Sequence, residues 1–508
     1  MGETEGAVMA TVDGAVDTLG GRVQVRFDPG ASVTPLGQMA CFAEHLQTTG
    51  LFAGWERDCP LRYTSPNGSA LRDILGTWLL SGLCGHQRYA HVTALRGDAV
   101  SAQVLGCERI VSEDTLRRAL KAMDAKAAER WLQTHLLRSV RPALSTASVL
   151  DVDSSIKPLC GRQAGSVVSF NPHKPGRPSH VLHTYWAGQL RLVLDVELAP
   201  GDAHAAQHAL PGLLRLLDGF EPHEHPALVR GDCGFGDEPV IGQLEERGLS
   251  YLFKLRQSGW VKKLLHGAFA DDEQWSAPGP SDQGWSAKQT RLRLSTWPAH
   301  RRVIVLRRAV RQALAVQIRD AQGRPRLRLT AGDDGQFWEY AVPVTNTAHE
   351  PRAIAQLYRD RADAENAFDE LKNQWGWGAT AQRTSSAAAR PRAGWRCSTT
   401  VGVGTAGRPN RGRAWRRSPR ARCYWRRWVG ACSTPDRACL LYVSPMHGAV
   451  EQPKTLLVNI RTALAHVRKT AEQLDPLRRW QAFVSYVVHR ITRPLAPPTP
   501  RTPALAGP

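Results

Sequence analysis

The spacing of apolar residues changes near residue 146, and this change constrains the fold more than any other feature. Residues 36–145 place apolar side chains at helical spacing, as in "SALRDILGTWLLSGLCG". Beyond that point "ASVLDVDSS" alternates as a strand does, and "HVLHTYWAG" and "LRLVLDVELAPG" look like a hairpin pair. Helical and strand patterns then alternate up to residue 260. We therefore predict an α/β fold with a mixed sheet, preceded by a helical region in which Ser112 is a candidate N-cap.

The rest of the chain divides at further changes of pattern. Four strand-like runs between residues 285 and 345 predict a β-rich insertion, and "PRAIAQLYRDRADAENAFDELKNQWGW" predicts one long helix. The tail "RPLAPPTPRTPALAGP" is rich in proline and predicts disorder. The predicted segments are 1–35, partly disordered; 36–145, helical; 146–260, the first part of the α/β core; 261–345, the insertion; 346–380, the long helix; 381–438, rich in arginine; 439–490, helical; and 491–508, disordered.

The charge of the chain gives weak support for a polyanionic partner. The formal net charge is +20, from 66 basic and 46 acidic residues. Residues 383–435 hold 13 arginines and neither lysine nor acid, so this one window supplies 13 of the 20 charges. The remainder is mildly basic, and composition alone does not establish binding to nucleic acid.

Other bulk features exclude several classes of protein. No apolar run is long enough to span a membrane, and the N-terminus lacks the order of a signal peptide. The ten cysteines form no CxxC pair, which argues against a disulfide framework and a zinc site. We expect a cytoplasmic protein of bacterial type.

The long predicted helix carries the most informative residues. At 100° per residue, Tyr358, Arg361, Glu365 and Lys372 lie within roughly 60° of each other, beside an apolar stripe. A carboxylate flanked by two cations there suits a divalent metal together with phosphate oxygens. An ordinary solvated face with ion pairs one turn apart explains the same pattern.

Further acids come from the predicted sheet. Asp151 and Asp153 lie two apart on one strand, so their side chains point to the same face. Asp232 follows an apolar strand directly before a glycine-rich turn, where α/β folds build active sites. Each acid alone is explained equally well by a turn or a cap. Together with the helix, three carboxylates suit two divalent ions for in-line phosphoryl transfer.

These motifs resemble those of a known family. The spacing Tyr358-x2-Arg361-x3-Glu365-x6-Lys372 resembles the Tyr-Arg-Glu-Lys signature of bacterial insertion-sequence transposases with a DDE catalytic triad. The strings "DVDSS", "NPHKPGRPSH", "RGDCGFG" and "YRDRADAENAFDELKNQWGWG" are similar to one subgroup, over roughly residues 25–380. The resemblance implies an RNase H-like core with a β-rich insertion between the second Asp and the Glu.

The resemblance also implies roles for individual residues. Asp232 and Glu365 would be the second and third catalytic acids and metal ligands. The first would be Asp153 or Asp151; Asp153 is favoured because Asp153-Ser154-Ser155 fits the Asp-x-Ser/Thr pattern common in the superfamily. Tyr358, Arg361 and Lys372 would bind the DNA backbone. The family uses Mg2+ or Mn2+, with two ions expected, on double-stranded DNA of transposon ends and target. It acts as a homodimer in a synaptic complex, to which the helical region 36–145 would contribute end binding or dimerisation.

The arginine-rich segment interrupts the resemblance. Read in a shifted frame, the codons of residues 382–387, 398–407 and 415–430 admit runs similar to the family. We hypothesise that residues 381–438 are translated out of frame, which predicts a poorly folded or inactive copy; a basic linker that binds DNA is the alternative. Two other functions stay open: an RNase H-like nuclease without strand transfer, and a non-catalytic DNA-binding remnant.

Overall fold

The computed structural model describes most of the chain up to residue 367 and short stretches beyond it. The described residues are 14–18, 21–25, 32–34, 36, 39–62, 67–86, 88–144, 148–159, 165–169, 171, 174–188, 190–203, 205–270, 275–276, 284–310, 329–331, 337–362, 365–367, 429–433, 439–443 and 481. Lys372 and residues 381–428 lie outside them, as do 444–480 and 482–508. The predictions made for those positions stay predictions.

The first described elements are short strands within the segment expected to be partly disordered. Strands β1 (Gly14–Thr18) and β2 (Gly21–Val25) pair antiparallel as a hairpin. Strand β3 (Ser32–Thr34) follows them.

The region predicted to be helical is helical. Its helices are α1 (Met39–Thr49), α2 (Leu51–Arg57), α3 (Leu71–Leu83), α4 (Val92–Arg96), α5 (Ala99–Val104), α6 (Glu113–Ala122) and α7 (Ala125–Val140). Ser112 caps α6 as predicted, since its Oγ accepts from the Thr115 amide at 3.1 Å. Asp124 caps α7 in the same way, with its carboxylate 2.8 Å from the Ala127 amide, and so divides a stretch of continuous helical spacing into two helices.

Three tryptophans form the centre of this helical region. Trp55 and Trp131 stack with ring centroids 5.0 Å apart, and Trp78 packs against both. The Trp131 indole also donates to the Trp55 carbonyl at 3.0 Å. Such pairs contribute about 0.5–1.5 kcal/mol each beyond the area that they bury.

A mixed sheet follows, as the alternating pattern predicts. Its central strands are β4 (Val149–Pro158), β6 (Pro178–Ala187), β7 (Leu192–Pro200), β8 (Leu228–Gly231) and β9 (Tyr251–Lys254), and β5 (Val167–Val168) pairs with β6. The order is β7–β6–β4–β8–β9, with β8 and β9 parallel to β4 and β6 antiparallel to it. This is the order of an RNase H-like core, so the predicted fold class is confirmed.

Apolar side chains cover both faces of this sheet. On one face, Val152 and Tyr185 pack with Leu213 of α8 (Ala205–Asp218) and Val240 of α9 (Glu238–Glu246). On the other, Leu182 and Trp186 of β6 join the same buried cluster as the three tryptophans. Asp151 and Asp153 are paired with Trp186 and Thr184, so they point toward this second face.

The insertion extends the sheet. After α10 (Gly259–Ala270), it contains β10 (Trp285–Leu292), β11 (Arg301–Val310), β12 (Leu329–Ala331), β13 (Phe337–Ala341) and β14 (Pro343–Thr345). Strand β14 pairs antiparallel with β9 and also with β11, which joins the insertion to the core strands. The chain then enters α11 (Pro351–Arg359); Asp360 follows with its amide bonded to the Gln356 carbonyl at 2.9 Å, and residues 361–362 and 365–367 are helical.

Two strands are described beyond residue 428. Strand β15 (Val429–Ser433) pairs with β3 and with β16 (Cys439–Val443), which stands at the start of the segment predicted to be helical. None of the described helices is long and apolar enough to cross a membrane.

Candidate active site

Strand register brings the two predicted aspartates of the sheet together. Strands β4 and β8 run parallel, with Val152 beside Gly231. The next residues along these strands are Asp153 and Asp232. Neighbouring strands lie about 4.8 Å apart, so the two acids stand side by side where β8 ends. The Asp232 carboxylate also accepts from the Gly234 amide at 2.8 Å, which fixes it within the glycine-rich turn.

Asp151 lies on the same strand face but has a different partner. Its two carboxylate oxygens accept from Arg230 Nε at 2.6 Å and Arg230 Nη2 at 2.8 Å. Both residues are buried, with 1% of Asp151 and 5% of Arg230 exposed. The Asp151 carboxylate is therefore engaged on both oxygens by one guanidinium, as a bidentate ion pair.

Arg361 joins the sheet to the helix after β14. Its Nη2 donates to Asp153 Oδ1 at 2.9 Å and its Nη1 donates to Glu365 Oε1 at 2.7 Å. The Arg361 side chain is only 9% exposed, whereas Glu365 is 61% exposed. One buried cation thus holds a carboxylate of β4 and a carboxylate of the helix at the same point.

The charges of all three acids act on this arginine. Burial works to lower the pKa of Arg361, but the negative charges of Asp153, Asp232 and Glu365 outweigh it and raise the pKa. Tyr358 lies in the same field: burial raises the pKa of its phenol to about 12, Asp232 and Glu365 add to the rise, and Arg361 opposes it. The phenol is neutral at physiological pH and is therefore able to donate a hydrogen bond.

The remaining signature residue is Lys372, and the matched strings "NPHKPGRPSH" and "RGDCGFG" also contain Lys174, Arg177 and Cys233. Lys372 lies outside the described residues. Lys174 and Arg177 are exposed in the turn before β6. Cys233 is a free, half-buried thiol next to Asp232, and its carbonyl accepts from Arg256 Nε at 3.0 Å.

The donor set fits a hard divalent ion in chemistry. Asp153, Asp232 and Glu365 offer only carboxylate oxygens, which Mg2+ and Mn2+ prefer, and all three act on one cation. In the part of the chain that the structure describes, no three His, Cys, Asp or Glu side chains form a group with metal-binding geometry. Arg361 occupies one oxygen of Asp153 and one of Glu365 instead.

Sequence reasoning missed Arg230. A signal was present, because an arginine in the buried run "ALVRGD" requires a buried acid as its partner. The partner is 79 residues away and becomes evident only through the parallel pairing of Asp151 with Arg230.

Comparison with solved structures finds two transposases among the similar chains. A piggyBac transposase in a synaptic complex with hairpin DNA is 10% identical, with a TM-score of 0.38, covering 93% of this chain and 89% of that one. A Mos1 transposase in a paired-end complex with the left transposon end is 16% identical, with a TM-score of 0.16, covering 36% of this chain and 72% of that one. Both TM-scores are low, and the fold assignment rests on strand order instead.

Comparison with families of sequences is more informative. No curated protein sequence matches the chain significantly. The sequence profile described as "Transposase DDE domain group 1" matches residues 19–390, which is well over half of the chain. The match spans both aspartates of the sheet, the insertion and the glutamate of the helix, and the chain therefore belongs to the family of DDE-domain transposases.

Proposed function

We propose that this protein is a DNA transposase of the bacterial insertion-sequence type with the Tyr-Arg-Glu-Lys signature. It cleaves strands at transposon ends and joins the 3′-hydroxyl to target DNA, in a cut-and-paste reaction that requires a divalent metal. The observation that carries the proposal is that buried Arg361 donates to both Asp153 and Glu365, while strand register places Asp232 beside Asp153. A buried cation that acids of separate elements surround marks a candidate functional site.

Asp153 is the first catalytic acid in this proposal, and Asp151 is not. Asp153 faces Asp232 across adjacent strands and shares Arg361 with Glu365. Both carboxylate oxygens of Asp151 are bound by Arg230. Releasing them for a metal would leave Arg230 buried without its counter-charge, which is costly.

The three acids would hold Mg2+ or Mn2+, with two ions expected. When bound, such ions activate a water or a 3′-hydroxyl and stabilise the leaving oxygen of phosphoryl transfer. Arg361 keeps the carboxylates paired in the free protein, and its guanidinium suits a DNA phosphate once they are released. The Tyr358 phenol and the Lys372 ammonium group would donate hydrogen bonds to the DNA phosphate backbone as well.

The partners follow from this reaction. The substrates are double-stranded DNA of the transposon ends and of the target, and we expect a homodimer in the synaptic complex. The protein would act in the cytoplasm, at the nucleoid.

A non-catalytic remnant is the second candidate function. The family match ends at residue 390, inside the segment proposed to be out of frame. Loss of the family sequence there would remove parts that pack on the catalytic core, while the acids stay encoded. Sequencing the locus tests the frame shift, which requires a pair of compensating insertions or deletions relative to intact relatives.

A product assay tests the function. DNA flanking the gene supplies the terminal repeats, and the chain as encoded is compared with a frame-restored chain in Mg2+ or Mn2+. The proposal predicts joining of ends to a new duplex by the frame-restored chain. Cleavage without joining would identify a nuclease. Repeat binding without cleavage by the chain as encoded, beside joining by the frame-restored chain, would identify the encoded copy as a remnant, and no cleavage by either chain would contradict the proposal.

A further inference from the structure

Arg230 connects three elements of the candidate active site. It lies on β8, immediately before Gly231 and Asp232. Two of its nitrogens bind Asp151 on β4, and the third, Nη1, donates to the carbonyl of Leu357 on α11. A single buried guanidinium therefore connects both strands that carry catalytic aspartates with the helix that leads to the glutamate.

The contact on the helix falls at a sensitive position. Leu357 precedes Tyr358 directly and lies one helical turn before Arg361. The position of this turn decides whether Arg361 reaches Asp153 and where Glu365 stands. An arginine can donate in three directions in one plane, whereas lysine cannot reproduce that fork.

The surroundings leave the pair little freedom. A Cβ at Gly188 would lie 2.4 Å from Asp151 Oδ2 and 3.6 Å from Arg230 Nη2. Any side chain there would displace the Asp151 carboxylate. Gly188, directly after β6, therefore lets the backbone pass close to the Asp151–Arg230 ion pair.

We infer that Asp151 and Arg230 form a positioning pair, which holds α11 against β4 and β8 so that Arg361 and Glu365 meet Asp153. The inference rests on the proposed function for its catalytic consequence, but the mechanical part stands on the contacts alone. Arg230 touches neither DNA nor metal in this account and acts through the helix.

The chain offers a matched control. Arg141 also binds a buried carboxylate with two nitrogens, Nε and Nη2, which lie 2.7 Å and 2.9 Å from Glu224 oxygens. It too donates to a backbone carbonyl, that of Gly219 at 2.6 Å. This second fork connects the end of α7 with the loop after α8 and has no contact with the catalytic acids.

The experiment compares Arg230→Lys with Arg141→Lys in the full chain. A double variant, Asp151→Leu with Arg230→Met, removes both charges. It avoids leaving one buried charge without its partner, which by itself could unfold the protein. Amide hydrogen exchange reports opening of each element, and Mn2+ titration followed by electron paramagnetic resonance reports the affinity of the site.

Exchange decides the mechanical part. Arg230→Lys and the double variant are expected to speed exchange about tenfold over residues 351–362, which corresponds to one lost charge-assisted hydrogen bond. Arg141→Lys is expected to speed exchange over 205–224 and to leave 351–362 unchanged. Unchanged exchange over 351–362 in the folded Arg230 variants would overturn the inference.

Metal affinity decides the functional part. Mutating a residue that orients metal ligands typically weakens metal affinity 10- to 100-fold. Arg230→Lys should therefore weaken Mn2+ binding about tenfold, and Arg141→Lys should weaken it less than about twofold. Equal losses in both variants, or no loss in Arg230→Lys, would reduce the pair to a structural role. Equal Mn2+ affinity in the wild type and in Asp232→Asn would contradict the proposed function. Hydrogen exchange over 351–362 would still test the positioning pair.

Discussion

Buried acids have different partners in the helical region and in the mixed sheet. In the helical region Asp73 is 1% exposed; its Oδ1 accepts from the Glu108 amide at 2.9 Å, and its Oδ2 lies 4.0 Å from Nε of the exposed Arg109. In the sheet Asp151 and Asp153 are bound by the guanidinium groups of Arg230 and Arg361. An acid on a backbone amide orders a loop, whereas acids that share buried cations concentrate charge where chemistry can use it.

The largest expected effect separates these two kinds of acid. In a cleavage assay with the frame-restored chain, Asp232→Asn should lower the rate by a factor on the order of 10³ or more, because a catalytic ligand is lost. Asp73→Asn should lower stability and leave the rate per folded molecule unchanged. Cleavage that survives Asp232→Asn, or fails equally in both variants, would break the distinction.

The second effect concerns histidines that both regions bury. Burial lowers the pKa of His45 in the helical region to about 3, and burial is also the main cause that lowers the pKa of His183 in the sheet to about 4. The unfolded chain, with a histidine pKa of about 6.5, therefore takes up protons first as pH falls. Stability present above pH 6.5 should be lost progressively as pH falls, down to about pH 4 for His183, by about 3 kcal/mol, and down to about pH 3 for His45, by somewhat more.

Urea unfolding at pH 7 and pH 4.5 measures this loss. His45→Leu and His183→Asn should each make stability less dependent on pH, and Asn keeps a polar atom near the Ser154 hydroxyl that His183 Nδ1 contacts at 2.8 Å. The same pH dependence in wild type and variants would show that other groups control acid unfolding.

The third effect tests whether Arg361 competes with metal. Arg361→Gln should tighten Mn2+ binding by the free protein roughly tenfold, because it removes a cation that two carboxylates share. The same variant should weaken binding of transposon-end DNA. Arg215→Gln is the control, since Arg215 also pairs with two acids, Asp195 and Glu197. Weaker Mn2+ binding in Arg361→Gln would contradict the account.

The smallest effect is purely structural. Ser112→Ala removes the N-cap of α6 and should reduce the free energy of unfolding by about 1 kcal/mol. Mn2+ affinity should not change. A change in metal binding would mean that the helical region reaches the site through α6.

Local sequence patterns predicted the helices and strands, whereas the contacts between distant residues became evident only from the pairing of the strands. Alternation in "ASVLDVDSS" predicted β4, and the glycine turn after Asp232 predicted the end of β8, because both signals lie within a few residues. The pairing of Asp151 with Arg230 required the register of two strands 79 residues apart. Spacing also predicted one continuous helix over 351–377; residues 351–359, 361–362 and 365–367 are described as helical, Asp360 keeps the helical hydrogen bond to the Gln356 carbonyl at 2.9 Å, and the rest stays a prediction.

The central claim is that Asp153, Asp232 and Glu365 form one metal site. Titration of the full chain with Mn2+, followed by electron paramagnetic resonance, tests it in the wild type and in Asp153→Asn, Asp232→Asn and Glu365→Gln. We predict that each substitution weakens binding by about tenfold or more, while Asp73→Asn leaves it unchanged. Wild-type affinity in the Asp153→Asn variant would contradict the account.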